Sequence, residues 1–218
     1  NDGAYNTTTV SGSITTGGYH AYGIFNDGAY NTTTVSGSIT TGVVGTNAGE
    51  DSTGIWNYGN DNTTTLTSTG VITVNGPKAD GIYNSSGDKN ITIVHGSIFV
   101  NGNGDADDYA EGITNYGDDN ETTLSGSITT TGNYAMGIWN AGNNNTTTIS
   151  GSITTGVVGT NAGEDSTGIW NYGNDNTTTL TSTGVITVNG PKADGIYNSS
   201  GDKNITIVHG SIFVNGNG

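Results

Sequence analysis

The sequence predicts an all-β chain, a parallel β-helix wound as one continuous solenoid. Three observations predict it. The tetrapeptide Gly-Ile-x-Asn returns at Gly23, Gly54, Gly81, Gly112, Gly137, Gly168 and Gly195. Counted from its Asn, and adding Asn1, the successive units are 25, 31, 27, 31, 25, 31 and 27 residues long, followed by a shorter piece. Self-similarity at this period is the mark of a repeat architecture. Within each unit, aliphatic residues fall at fixed places in short runs of period two, bounded by Gly, Asn and Asp. Nothing combines a 3.6-residue period with helix caps. About eight coils of 25–31 residues result, and the whole of 1–218 reads as one solenoid segment belonging to a longer array.

In the first unit the pattern places strands around Thr7–Val10, Ser13–Thr16 and Gly23–Asn26. Alternation puts Asn6, Thr8, Val10, Ile14 and Thr16 on one face, and Thr7, Thr9 and Thr15 on the other. Aligned column by column, Val10 corresponds to Val35, Leu66, Val94, Leu124, Ile149, Leu180 and Val208. Ile14 and Ile24 head two columns that are Ile in every unit. These are three aliphatic stacks. A fourth column stays small, from Ala21 and Ser52 to Ala193.

Two inward columns are Asn throughout. One is Asn26, Asn57, Asn84, Asn115, Asn140, Asn171 and Asn198. The other is Asn6, Asn31, Asn62, Asn90, Asn120, Asn145, Asn176 and Asn204. Buried Asn is tolerable if coils stack roughly 4.8 Å apart, because each amide can then donate to the carbonyl of the next. The Thr8 column can form a similar ladder. Every Asn of the second column also begins an Asn-x-Thr sequon, which an inward orientation would keep from glycan. The inserts of the longer units, at 42–51 and 101–109, fall after the second strand and should project along one edge.

A larger period overlies the coils. Residues 31–104 recur as 145–218 with one change, Val35 to Ile149, at a spacing of 114 residues, which is four coils. Residues 1–17 recur as 26–42.

Composition narrows the function classes. The net charge is −15, with no Arg and four Lys, at 78, 89, 192 and 203. Such a chain repels nucleic acid and anionic membranes. There is no Cys, and no apolar run is long enough to span a bilayer. His95 and His209 are copies of each other, and the four Lys form two copied pairs. The segment without such a copy holds no His/carboxylate set at a catalytic spacing, so the chain reads as non-enzymatic.

Three surface features remain as candidates. Phe25, Trp56, Tyr83, Trp139, Trp170 and Tyr197 form an outward aromatic stripe, broken at Thr114, suited to lateral packing or to stacking on glycan. Outward Thr pairs, Thr7/Thr9, Thr32/Thr34, Thr63/Thr65, Thr146/Thr148 and Thr177/Thr179, form a flat array that could match a lattice such as ice, interrupted by Ile91/Ile93 and Glu121. Asp105, Asp107 and Asp108, near Glu111, gather oxygen ligands of the kind calcium takes, without the full spacing of an EF-hand.

The pattern Gly-Ile-x-Asn-x-Gly followed by Asn-x-Thr-x-[Val/Leu]-x-Gly-x-Ile, seen from Gly112 to Gly117 and from Asn120 to Ile128, resembles the repeats of Gram-negative autotransporter passenger domains and related giant surface adhesins. The resemblance covers the whole chain. It implies a right-handed parallel β-helix in an extracellular, surface-anchored, rod-like protein, the shaft of an adhesin or filament. Its partners would be further repeats or other copies, end to end or side by side, and a host-cell or glycan surface.

Overall fold

The computed structural model describes residues 1–42, 49–156 and 163–216. The chain is a parallel β-solenoid of three sheets, with seven full coils and two strands of an eighth. The first sheet has eight strands, from Thr7–Val10 to Ile205–Val208. The second also has eight, from Ser13–Thr15 to Ser211–Asn215. The third has seven, from Tyr22–Asp27 to Asp194–Ser199. Every strand pairs in parallel with its counterpart one coil away. Among the described residues there is no α-helix, hence none long and apolar enough to cross a membrane. Positions 43–48 and 157–162, and the last two residues, lie outside the described residues.

The three predicted aliphatic stacks are the core. From Val35 to Leu180, from Ile39 to Ile186 and from Ile55 to Ile169, each side chain is fully buried. The small column is buried beside them at Ser52, Ala79, Ala110, Ala135 and Ser166. At the last coil the stacks are open: Val208, Ile212 and Val214 are all exposed.

Both Asn columns are ladders, of different kinds. In the first, the Asn26 amide donates to Asn57 Oδ1 at 2.8 Å, and the same bond recurs through Asn84, Asn115, Asn140, Asn171 and Asn198. The second amide hydrogen goes to a Thr hydroxyl of the same coil, as from Asn115 to Thr122 Oγ1 at 3.1 Å. The Thr8 column therefore serves as acceptor for the Asn ladder, where a separate ladder was expected. In the second column the amides do not bond one another. Instead each backbone N–H donates to the side-chain oxygen one coil on, as from Asn31 to Asn62 Oδ1 at 2.8 Å. The side-chain amide donates to a turn carbonyl, as from Asn31 to Gly28 at 3.0 Å, except at Asn145, whose buried amide nitrogen has no partner. The residue before each of these Asn is left-handed, with φ between 55° and 61° from Tyr5 to Lys203. This turn aims the Asn inward. Asn62, Asn90, Asn120, Asn145 and Asn176 are consequently buried, and their sequons are closed to glycan in the folded chain.

The glycine of Gly-Ile-x-Asn has a steric reason. In the third sheet, Glu111 pairs with Asp80 and Ile113 with Ile82, while Gly112 and Gly81 between them are skipped. A methyl built on Gly112 would collide with the Ile128 side chain and lie 2.5 Å from the Gly137 carbonyl oxygen. The glycine thus faces the core alongside the Ile that follows it. Strict alternation is interrupted, as at a bulge, and the residue before the glycine is returned to the outer face.

Two measurements follow from this packing. Gly112→Ala should lower unfolding stability by about 1–3 kcal/mol in urea denaturation, whereas Gly12→Ala, with open space around its new methyl, should change it by less than about 0.5 kcal/mol. The buried hydroxyls of Thr41, Thr130 and Thr155 have no hydrogen-bond partner, and they share a column with Val74, Val100 and Val188. Thr130→Val should therefore raise stability by about 1 kcal/mol; a loss would show that the hydroxyl has a role in the stack.

Candidate acidic aromatic cavity

The third sheet carries the aromatic stripe on its outer face. Its strands are held in register by the Ile and Asn columns beneath, so equivalent rings fall one above another. Phe25 meets Trp56 at 5.2 Å between centroids, and Trp56 meets Tyr83 at 5.5 Å. The expected break at Thr114 is bridged by Tyr116, which lies 5.6 Å from Tyr83 and 4.9 Å from Trp139. Trp139 stacks on Trp170 at 5.7 Å, and Trp170 reaches Tyr197 at 5.5 Å. Tyr109, at the end of the 101–109 insert, packs against both Trp139 and Trp170. The stripe is thus a continuous, partly covered ring layer, and Thr114 is buried in it.

Beside these rings is a cavity of about 240 Å³. It is lined by Trp56 of Thr53–Tyr58, Asp80 and Tyr83 of Asp80–Ser85, and Glu111 and Thr114 of Ala110–Asn115. Tyr116 and Trp139 complete the ring wall. Asp51 and Asp108 reach the rim from the two inserts, with His20 and Lys78 from turns.

The unusual feature is a pair of acids on neighbouring strands. Asp80 and Glu111 are direct register partners and hydrogen-bond through their side chains. Glu111 is 3% exposed. Thr114 Oγ1 donates to Asp80 Oδ1 at 3.3 Å. Burial, opposed in part by the hydrogen bond from Glu111, raises the Asp80 carboxyl to about 7. Burial and the adjacent Asp80 charge hold Glu111 well above the ordinary carboxyl range. The two carboxyls therefore share a proton and ionise as a coupled pair, both raised by burial. Burial also raises the Tyr83 and Tyr116 hydroxyls, which stay neutral donors.

Neither acid has a cationic partner among the described residues. Lys78 Nζ is 3.0 Å from Asp105, and His20 Nε2 is 3.6 Å from Asp51. Asp105 is further held by the backbone N–H groups of Asp107 and Asp108, both at 3.0 Å to Oδ1. This turn directs Asp105 to Lys78, while Asp108 lies at the cavity and Glu111 on Asp80. Among the described residues no three His, Asp or Glu side chains converge as metal ligands.

The outward Thr pairs are in register, as Thr7, Thr32 and Thr63 are. The next coil places Ile91 and Ile93 in the same columns, so the regular array spans three coils before it is interrupted.

Sequence reasoning passed over Tyr22, Tyr116 and the Asp80–Glu111 pair. The available signal was the column two residues before each Ile: Tyr22, Thr53, Asp80, Glu111, Met136, Thr167 and Asp194. Only in one place do acids occupy adjacent coils.

Because both acids hold protons more tightly folded than unfolded, they bind extra protons in the native state between the ordinary carboxyl range and about pH 7. Stability contributed by this protonation is complete at the acid end of that window and is lost as pH rises through it. The melting temperature should fall by at least about 3 °C between pH 4.5 and 7.5, relative to an Asp80→Asn/Glu111→Gln variant measured in parallel. Parallel pH profiles for the two proteins would show that the acids are not coupled to folding.

No family model matches the chain, and no curated protein or solved structure matches it.

Proposed function

We propose that the chain is part of a non-enzymatic rod, the shaft of an extracellular adhesin or filament displayed at a bacterial surface. The observation that carries this reading is the unbroken first Asn ladder, which runs from Asn26 to Asn198 through every coil in one register. A ladder of this kind extends by adding coils and needs no change of geometry to do so. The near-identity of 31–104 and 145–218 supports the same reading, since a homogenised array favours length over a single asymmetric site. The resemblance of the repeat to autotransporter passenger domains supports the extracellular setting.

One face favours a second role beside the shaft. The continuous ring layer of the third sheet offers a ligand surface, for glycan or for another rod, that the interrupted Thr array does not match in regularity. In this reading the rod presents the surface, and the rings make the contact.

Concatenated copies of the 114-residue unit test the shaft directly. In small-angle X-ray scattering the longest dimension should grow by roughly 19 Å per unit, four coils at about 4.8 Å each, with a constant cross-section. Growth in the cross-section instead would overturn the rod. Antibodies against the segment should label intact source cells; labelling only after permeabilisation would overturn the extracellular setting.

A further inference from the structure

We propose that the cavity on the third sheet is a binding site for an organic ammonium cation, seated between the aromatic rings and the Asp80–Glu111 carboxyl pair. The inference is independent of the rod reading.

The first support is the cavity itself. Its volume of about 240 Å³ suits a small alkylammonium group, and its wall is aromatic on several sides: Trp56, Tyr83, Tyr116 and Trp139. The rings stand at steep angles to one another, 59° for Trp56 against Tyr83, 85° for Tyr83 against Tyr116 and 64° for Tyr116 against Trp139. The rings thus pack on one another along the stripe, and four of them line the cavity. Cations are attracted to aromatic faces, most strongly where water is excluded.

The second support is the uncompensated charge. Two carboxyl groups opposite one another on adjacent strands must share a proton or take up a counterion, and Asp80 and Glu111 are register partners. Their neighbours in the column, Thr53 and Met136, supply no positive charge. From the surrounding loops, Asp51 and Asp108 add negative charge, while Lys78 and His20 are engaged with Asp105 and Asp51. A bound cation supplies what the fold withholds. A neutral sugar would leave the ionised acid uncompensated.

The third support is Trp139. Trp56 and Trp170 donate their indole N–H to Ser85 and Ser199, but the buried Trp139 Nε1 has no partner. Its register neighbour in the next coil is Trp170, so the fold itself offers this N–H no acceptor.

Binding of a cation requires Asp80 ionised, so affinity rises with pH through about 7 and levels off above it. Glu111 shares the remaining proton of the pair with Asp80.

The test is titration of the 218-residue chain, followed by tryptophan fluorescence and isothermal calorimetry at constant ionic strength. The probes are choline, its uncharged isostere 3,3-dimethylbutan-1-ol, Nα-acetyl-lysine methylamide and a neutral disaccharide. The expected result is saturable binding of an ammonium probe at pH 8, at least about tenfold tighter than the isostere and at least about tenfold weaker at pH 5.5. Preference for choline indicates a free quaternary amine as the natural ligand, and preference for the lysine derivative indicates a protein side chain; both support the site. Asp80→Asn should abolish binding. Glu111→Gln, which keeps a hydrogen-bond donor and removes the competing acid, should retain binding at pH 8 and move the pH dependence to lower pH. Equal binding of choline and its isostere, no binding of either ammonium probe, binding of the disaccharide alone, or full binding by Asp80→Asn would each overturn the proposal.

Discussion

The amide of a buried Asn has two hydrogens and an oxygen to satisfy, and this requirement governs the solenoid. Asn115 meets it only if Asn140 lies one coil beyond, Asn84 one coil before, and Thr122 seven residues along its own coil. A slip of one residue between coils would set Trp139 or Ala141 opposite Asn115 in place of Asn140 and leave polar groups unpaired where water does not reach. The Val10 stack is tolerant by comparison, since Val, Leu and Ile alternate in it, while the other two aliphatic stacks hold Ile in every coil. Burial drives the coils together, and the Asn ladders decide the register in which they meet.

Register in turn builds the outer face. Because each glycine of the third sheet is turned into the core, the residue before it shares the outer surface with the ring two residues beyond the glycine. That geometry brings Asp80 under Tyr83 and sets Glu111 beside it. An interior packing constraint, the lack of room for a methyl against Ile128, therefore has an exterior consequence: two carboxyl groups meet in a ring-walled cavity. Elsewhere the same column holds Thr or Met beside its acid, and no such pair arises.

The cavity also shows how a copied scaffold acquires one distinct place. Trp56 and Asp80 have copies at Trp170 and Asp194, but Glu111, Thr114 and Tyr116 come from the coil that separates the two near-identical stretches. A single divergent coil, inserted in register, converts a repeated ring layer into an individual site. The rigid ladders below keep those side chains at fixed separations, a condition for preorganised binding.

By itself the sequence determined the periodic part of this protein: three strands per coil, the three aliphatic columns, the two inward Asn columns and the outward stripe. Those features are legible because a solenoid turns repeat alignment into spatial contact, so a column in the sequence is a stack in space. The tertiary structure decided what depends on where a side chain turns. Tyr116 fills the space above Thr114 from outside the stripe's column, and the Thr8 column accepts from Asn amides of the other ladder. Asp105 turns back to its own loop and to Lys78, away from Glu111. The Asp80–Glu111 pair was hidden for the same reason. Simple alternation places both residues on the inner face, and only the crowding around the skipped glycines sends them out.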